Sequence, residues 1–282
     1  MNKLQVNKII PFSSVDGPGN RMAIFLQGCN FNCLYCHNPE TINLCNHCGI
    51  CVDHCPSKAL SLNEGTVTYD PALCIDCDTC IKICPHNSSP KVLSLSCEDV
   101  LRQIGDYIHF LSGITVSGGE CSLQHRALTE LFRGVKQRFP KLSRFIDTNG
   151  GIPLYTSSMV DFVSSFDKAM LDIKSWESRS HLLLTGRDNI IVRKNLDFLL
   201  EKNKLFEIRT VIVPELEEHR RLVADISSHV AKKDPKIRYK LIRYRQMGVR
   251  EELLRSYSPS EKYMEELSQI AKQNGLIDIL IV

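Results

Sequence analysis

Eleven of the chain's thirteen cysteines fall between Cys29 and Cys84, and their spacing limits what that stretch can become. Cys29, Cys33 and Cys36 run as C-x3-C-x2-C, with no fourth cysteine at a matching interval. Three thiolates can hold three irons of a cubane 4Fe-4S cluster and leave the fourth iron without a protein ligand. An open coordination position separates a catalytic metal site from a closed structural one. A zinc loop or scattered structural thiols fit less well, because zinc sites usually pair C-x2-C elements and fill all four positions. The opening MNKLQVNKIIPFSS holds no apolar stretch long enough for a signal peptide, and no apolar run of about 18 residues occurs anywhere. A cysteine-rich chain without a secretion signal points to metal rather than disulfides, and to the reducing cytoplasm.

Residues 43–91 carry short apolar pairs, turn residues and two copies of one pattern. The first is Cys45-x2-Cys48-x2-Cys51-x3-Cys55-Pro56, the second Cys74-x2-Cys77-x2-Cys80-x3-Cys84-Pro85. This is the bacterial two-cluster ferredoxin run, in which the fourth cysteine of each copy ligates the other cluster. One 4Fe-4S cluster is therefore assigned to Cys45, Cys48, Cys51 and Cys84, and another to Cys55, Cys74, Cys77 and Cys80. With every ligand position filled, such clusters transfer electrons and do not bind substrate. The expected organisation is an inserted ferredoxin-like domain, residues 43–91, within a larger domain of residues 1–42 and 92–282.

Outside the insertion the pattern alternates. Apolar strands are expected at 21–27, 113–117, 143–147, 168–174, 205–213 and 237–243, with 276–281 closing an edge. Helices are expected from a capping pattern at Ser96-Cys97-Glu98-Asp99, over 123–139 up to Pro140, and over 159–166, 189–203, 217–232 and 260–274. Strands separated by helices imply an α/β fold with a mostly parallel sheet. Six or seven units are fewer than the eight of a closed barrel, so the expected form is an open, partial (β/α)6 TIM-like barrel. Chemistry belongs at the carboxyl ends of its strands. Three such ends carry marked residues: Ser117-Gly118-Gly119-Glu120, Asp147-Thr148-Asn149-Gly150 and Asp172-Ile173-Lys174. Each alone reads as a turn or a solvated strand end, but successive strands bring all three to one mouth. A net charge of +3 gives no argument for nucleic acid.

With C-x3-C-x2-C after the first core strand and G-G-E after the second, the chain resembles the radical S-adenosylmethionine superfamily. More narrowly, Asp16-Gly17-Pro18-Gly19, Cys33-Leu34-Tyr35-Cys36-His37-Asn38, the three strand-end motifs, Met170-Leu171-Asp172 and Arg209-Thr210-Val211-Ile212-Val213-Pro214 resemble the glycyl-radical-enzyme activases. Leu241-Ile242-Arg243-Tyr244-Arg245 with Gly248-Val249-Arg250 looks closest to the YjjW-type members. The resemblance covers essentially the whole chain. It implies an oxidoreductase that reductively cleaves S-adenosylmethionine at the Cys29, Cys33, Cys36 cluster. The resulting 5′-deoxyadenosyl radical would abstract hydrogen from a backbone glycine of a partner glycyl radical enzyme.

The resemblance also implies site residues. The S-adenosylmethionine pocket would take Tyr35, backbone around Gly118, Gly119 and Glu120, then Asp147, Lys174 and Arg209. Asp16 would face the incoming glycine loop. Asp147, Thr148, Met170 and Asp172 match a monovalent-cation site. Arg245 stands where many activases carry a histidine that contacts the nucleoside. The electron would come from a low-potential donor such as flavodoxin or ferredoxin. Other readings are a radical S-adenosylmethionine enzyme acting on a small molecule or RNA, and an iron-sulfur electron carrier without catalysis. The DGPG and DTNG motifs tell against the first, and the open three-cysteine site against the second. Cys97 and Cys121 read as buried apolar residues, Trp176 as packing and His37 as a supporting donor near the cluster. Residues 232–250, rich in Lys and Arg, stay open between a solvated edge, a peptide-facing or pocket-lining surface and a nucleic-acid contact.

Overall fold

The computed structural model describes residues 2–282. Two strands open the chain, β1 (Lys3–Ser13) and β2 (Arg21–Leu26). Residues 43–91 hold a short helix α1 (Ile50–Asp53), the hairpin strands β3 (Leu60–Asn63) and β4 (Thr66–Tyr69), and a second short helix α2 (Thr79–Lys82). Next come β5 (Leu93–Ser96), α3 (Cys97–Asp106), β6 (Gly113–Gly118), α4 (His125–Arg138), β7 (Ser143–Thr148), α5 (Val160–Ser165) and β8 (Lys168–Asp172). The chain continues through α6 (Ser178–Thr185), α7 (Ile190–Glu201), β9 (Leu205–Ile212), α8 (His219–Ala231), β10 (Arg238–Arg243), α9 (Glu261–Gln273) and β11 (Ile279–Ile281).

One sheet has the order β11-β10-β9-β8-β7-β6-β2-β1-β5, while β3 and β4 pair only with each other. From β2 through β11 every neighbour runs parallel, whereas β1 joins β2 and β5 antiparallel. The sheet ends on β5 and β11, so it is open. The parallel strands read as near-continuous apolar runs because both faces are covered: Met22, Ala23, Ile24 and Leu26 of β2 are all fully buried. The helices bury one side each, as α4 does with Ala127, Leu128, Leu131, Phe132 and Val135. Among the described residues no helix is long and apolar enough to cross a membrane.

The expected strands and helices of the alternating region occur within a few residues of their expected ends. At α3 the capping box is complete: Ser96 Oγ accepts from Asp99 N at 3.1 Å, and Asp99 Oδ2 accepts from Ser96 N at 3.0 Å. Seven elements were not expected. The strand β1 hides its period because only Leu4, Val6 and Ser13 are buried in its 11 residues. The others are β5, the strands β3 and β4, the four-residue helices α1 and α2, and α6, a helix that buries only His181, Leu184 and Thr185.

Candidate functional site

The parallel strands aim their carboxyl ends at one cavity of about 230 Å³. Cys29, Cys33 and Cys36 line it on one side, with Tyr35, His37 and Asn38. Ser117, Gly118 and Gly119 leave β6, Asp147, Thr148 and Asn149 leave β7, and Asp172 and Lys174 leave β8 to complete it, together with Asp16 and Phe25. The three strand-end motifs therefore meet the three-cysteine loop at one place.

Gly118 and Gly119 are required by more than approach to a ligand. A Cβ on Gly118, at φ +118°, would lie 2.1 Å from Leu26 N, and one on Gly119 would lie 2.2 Å from Gly28 O. The close approach is to the backbone that delivers Cys29, so the pair presses β6 against the end of β2. Gly119 N donates to Leu26 O at 2.9 Å and Glu120 N to Gly28 O at 2.8 Å, fixing that contact. The Glu120 side chain points away from the cavity. Its buried carboxylate accepts from Ser122 N, Ser122 Oγ, Thr148 Oγ1 and Asn149 N, tying the exit of β6 to that of β7.

That tie reaches the sulfurs. Asn149 Nδ2 lies 3.6 Å from Cys29 Sγ and donates to Asn30 Oδ1 at 2.9 Å, while Phe31 N points at Cys29 Sγ from 3.4 Å. From the other side Arg250, itself buried, donates through Nη2 to Cys33 O at 2.8 Å. His37 Nε2 meets Arg245 O at 2.9 Å. A Cβ at Gly248 would lie 2.5 Å from His37 O. Residues 244–250 thus clamp the back of the cysteine loop. Burial pushes the Cys29 thiol up to about 12 and the Cys33 thiol up to about 11, and raises Cys36. Such thiols stay protonated until a metal displaces the proton. Three cysteines on one wall, Cys33 buried and Cys29 and Cys36 partly buried, with N–H donors at Cys29 Sγ, fit an iron-sulfur cluster with a face open to the cavity.

The opposite wall is charged. Asp147 accepts from Ser117 Oγ at 3.1 Å and pairs with Arg209 Nη1 at 2.8 Å, and Lys174 Nζ pairs with Asp172 at 2.9 Å. Burial pushes the Asp147 carboxyl up to about 6 against the pull of the Arg209 guanidinium, and the carboxylates of Asp172 and Asp16 add to the rise. For Lys174 burial works against the charge, but Asp172 and Cys33 outweigh it and hold its pKa well above the ordinary lysine value.

Arg209 stands inside β9 and also pairs with Glu207 and contacts Met170 Sδ at 2.7 Å. Two of the four side chains matched to a monovalent cation, Asp147 and Met170, are thus committed to a guanidinium, and Thr148 Oγ1 donates to Glu120. Any cation there would compete with Arg209. Asp16 is held by the Ser13 hydroxyl, and its carbonyl accepts from Thr115 Oγ1. Tyr35 is buried with its hydroxyl unpartnered among the described residues, its ring 5.8 Å from Lys174 Nζ. The Arg245 side chain is exposed and does not line the cavity. Of the leftover cysteines, Cys121 is fully buried against Asp147 O and Cys97 half-buried against Ala127 O. Trp176 packs under Arg193, 4.3 Å from its ring centre.

Residues 43–91 form two further cysteine pockets. One is walled by Cys45, Cys48, Cys51 and Cys84, the other by Cys55, Cys74, Cys77 and Cys80. The two sets are those drawn from the spacing, each with its fourth member taken from the other copy. The backbone repeats too: left-handed residues His47, Gly49 and Lys58 recur as Asp76, Asp78 and Asn87. Such φ values are uncommon outside glycine, so their recurrence marks one fold used twice. Asn43 joins this unit to the sheet, its N–H on Asn87 O and its side chain on His86 O, while Gln27 Nε2 donates to Asn43 O at 2.6 Å.

Asn149, Arg250 and Glu207 were not assigned roles from sequence. Asn149 stands within a marked motif. Arg250 lies in the Gly248-Val249-Arg250 motif, but its partner Cys33 is far away along the chain, and Glu207 meets distant Lys240 as well as Arg209 two residues on. Lys240 and Arg250, counted in a basic stretch, are buried, with Lys240 3.5 Å from Glu207.

Comparison with known proteins agrees with this geometry. Residues 15–152 match the 4Fe-4S single cluster domain family. The choline trimethylamine-lyase activating enzyme of Oleidesulfovibrio alaskensis is 30% identical over 231 residues, covering 75% of this chain and 73% of its own length. A Haemophilus influenzae protein assigned to the glycyl-radical enzyme activating enzymes is 29% identical over 300 residues, covering 98% of this chain and 96% of its own. In fold the chain is similar to QueE from Escherichia coli, with a TM-score of 0.56 at 14% identity over 99% of this chain and 94% of that one.

Proposed function

The chain belongs to the radical S-adenosylmethionine family of glycyl-radical-enzyme activating enzymes, and we propose that it installs a glycyl radical in a separate partner enzyme. The observation that carries this reading is the meeting of Cys29, Cys33 and Cys36 with the strand-end motifs around one cavity. Cys29, Cys33 and Cys36 would hold a 4Fe-4S cluster, which would supply the low-potential electron for reductive cleavage of S-adenosylmethionine, the source of the radical that would take hydrogen from the partner's glycine.

The chain's own residues bind and orient. S-adenosylmethionine presents a carboxylate, an ammonium and a sulfonium. Lys174 suits the carboxylate and Asp147 the cationic groups, with the β6 backbone at Gly118 and Gly119 against the amino end. Arg209 acts on the ligand through Asp147, whose carboxylate it holds in place. Tyr35 and Lys174 close the wall beside the cysteines. Asp16, on the loop before β2, faces the partner's glycine segment. Arg245, through its backbone on His37, supports the cysteine loop.

The large domain is read as a partial (β/α)6 barrel, which its consecutive parallel strands support. Residues 43–91 are read as an inserted ferredoxin-like domain, supported by the paired four-cysteine pockets. One 4Fe-4S cluster would be held by Cys45, Cys48, Cys51 and Cys84, the other by Cys55, Cys74, Cys77 and Cys80. They would pass electrons from a low-potential donor such as flavodoxin or ferredoxin toward Cys29, Cys33 and Cys36. Reduced anaerobically with dithionite, the protein should release 5′-deoxyadenosine from S-adenosylmethionine, and Cys33→Ser should abolish release while keeping the insertion's iron. Release by the variant at the wild-type rate would remove the three-cysteine site from the mechanism.

A further inference from the structure

Residues 43–91 repeat themselves at an interval of 29 residues, Cys45 to Cys74 and Cys55 to Cys84, so each position in one copy has a counterpart in the other. Four residues past the last cysteine, the copies differ: Ala59 follows Cys55 and Ser88 follows Cys84. Each lines a cysteine pocket, Ala59 with Cys55, Cys74, Cys77 and Cys80, and Ser88 with Cys45, Cys48, Cys51 and Cys84. Ser88 is 2% exposed, and its hydroxyl has no hydrogen-bond partner among the described residues. Native chains rarely leave a buried hydroxyl unpaired. Val67, Pro85 and Pro90 stand beside the thiols in its pocket, and the side-chain oxygen of Asn46, also on the wall, already accepts from Cys48 N at 3.3 Å. The Ala59 pocket draws polar groups from elsewhere: Tyr69 and Lys91 line it, and Thr79 Oγ1 donates to Cys77 Sγ at 3.4 Å. Alternate residues of β4 serve the two pockets, Val67 the first and Tyr69 the second.

We propose that Ser88 donates its hydroxyl hydrogen to a sulfur of the cluster held by Cys45, Cys48, Cys51 and Cys84, and so sets that cluster's reduction potential. This rests on the reading of the insertion as a two-cluster unit. Reduction adds one negative charge to the cluster, so an O–H pointed at its sulfurs stabilises the reduced form more than the oxidised form. Hydrogen bonds to the sulfurs are one of the factors that set cluster potentials. Ser88 is a positioning residue for electron flow, and the hydroxyl distinguishes two clusters that share a ligand pattern.

The test is an anaerobic redox titration of the iron-loaded full chain, followed by EPR, for wild type, Ser88→Ala and Ala59→Ser. Ser88→Ala should shift one cluster's reduction equilibrium toward the oxidised form by about tenfold, about 59 mV for one electron. The remaining clusters should titrate as before. Ala59→Ser should raise the potential of a different cluster, which keeps the test decisive even where Ser88→Ala loses iron. Wild-type potentials in both variants, at wild-type iron content, would overturn the role of Ser88. A wild-type chain holding about four irons instead of about twelve would overturn the two-cluster reading and the Ser88 role with it, so the iron count separates the two failures.

Discussion

Glu120→Gln isolates the brace behind the site. Glu120 is 1% exposed. Its Oε1 accepts from Ser122 N at 2.9 Å, Ser122 Oγ at 2.6 Å and Thr148 Oγ1 at 2.8 Å, and its Oε2 from Asn149 N at 2.7 Å. Glutamine keeps the shape and removes one acceptor. With its oxygen at the three-donor end, its amide NH2 faces Asn149 N–H, and that buried donor is stranded. Stranding it costs about 1–3 kcal/mol, and three bonds that lose a charged acceptor weaken by about 1 kcal/mol each. Relief from no longer burying a carboxylate returns part of this. The expected net loss is about 3 kcal/mol, a large share of the roughly 5–15 kcal/mol that holds a native protein together.

Anaerobic urea unfolding of the iron-loaded protein should show the loss as a lower midpoint at unchanged slope. Because Asn149 also contacts Cys29 Sγ and Asn30, a chelator should strip the three-cysteine iron faster than in wild type while the insertion keeps its own. A midpoint shift worth less than about 0.5 kcal/mol, the range of an uninvolved surface change, would refute the reasoning.

Burial holds the His219 imidazole down to about 4, with Val213 N donating to its Nε2. The unfolded chain takes up that proton near pH 6.5 and the folded chain only near 4, so stability should fall by about 3 kcal/mol as pH drops through that window; His219→Gln should flatten this part of the unfolding-versus-pH curve. A Cβ on Gly119 would meet Gly28 O at 2.2 Å and Thr41 O at 2.7 Å. Gly119→Ala should therefore cost about 2 kcal/mol and lose iron beside Cys29, whereas Gly65→Asn, on a hairpin turn at φ +74° with open space around it, should cost less than about 1 kcal/mol, since Asn tolerates that backbone, and leave iron content unchanged.

Much of this was legible in the sequence, for identifiable reasons. The cysteine sets could be read because ligand spacing is local and the copies repeat. The parallel strands could be read because burial on both faces leaves unbroken apolar runs, as in Arg21–Leu26. What escaped has physical causes as well. The strand β1, paired between β2 and β5, runs eleven residues with its middle partly exposed and a proline inside, so no period shows. By resemblance Gly118 and Gly119 read as pocket backbone, whereas their tightest neighbours are Leu26 and Gly28. Arg250 meets Cys33 across 217 positions and Glu120 meets Asn149 across 29, and no local pattern encodes such contacts.

The central claim is that the cavity at Cys29, Cys33 and Cys36 delivers its radical to a glycine of another protein. The most direct test incubates the reduced, iron-loaded chain with S-adenosylmethionine and a candidate glycyl radical enzyme, and records the EPR spectrum. The account predicts a glycine-centred doublet that collapses toward a singlet when the partner's glycine carries deuterium at its α-carbon, with that label appearing in 5′-deoxyadenosine. Cleavage of S-adenosylmethionine with no protein radical in any candidate, and no label transferred, would contradict it.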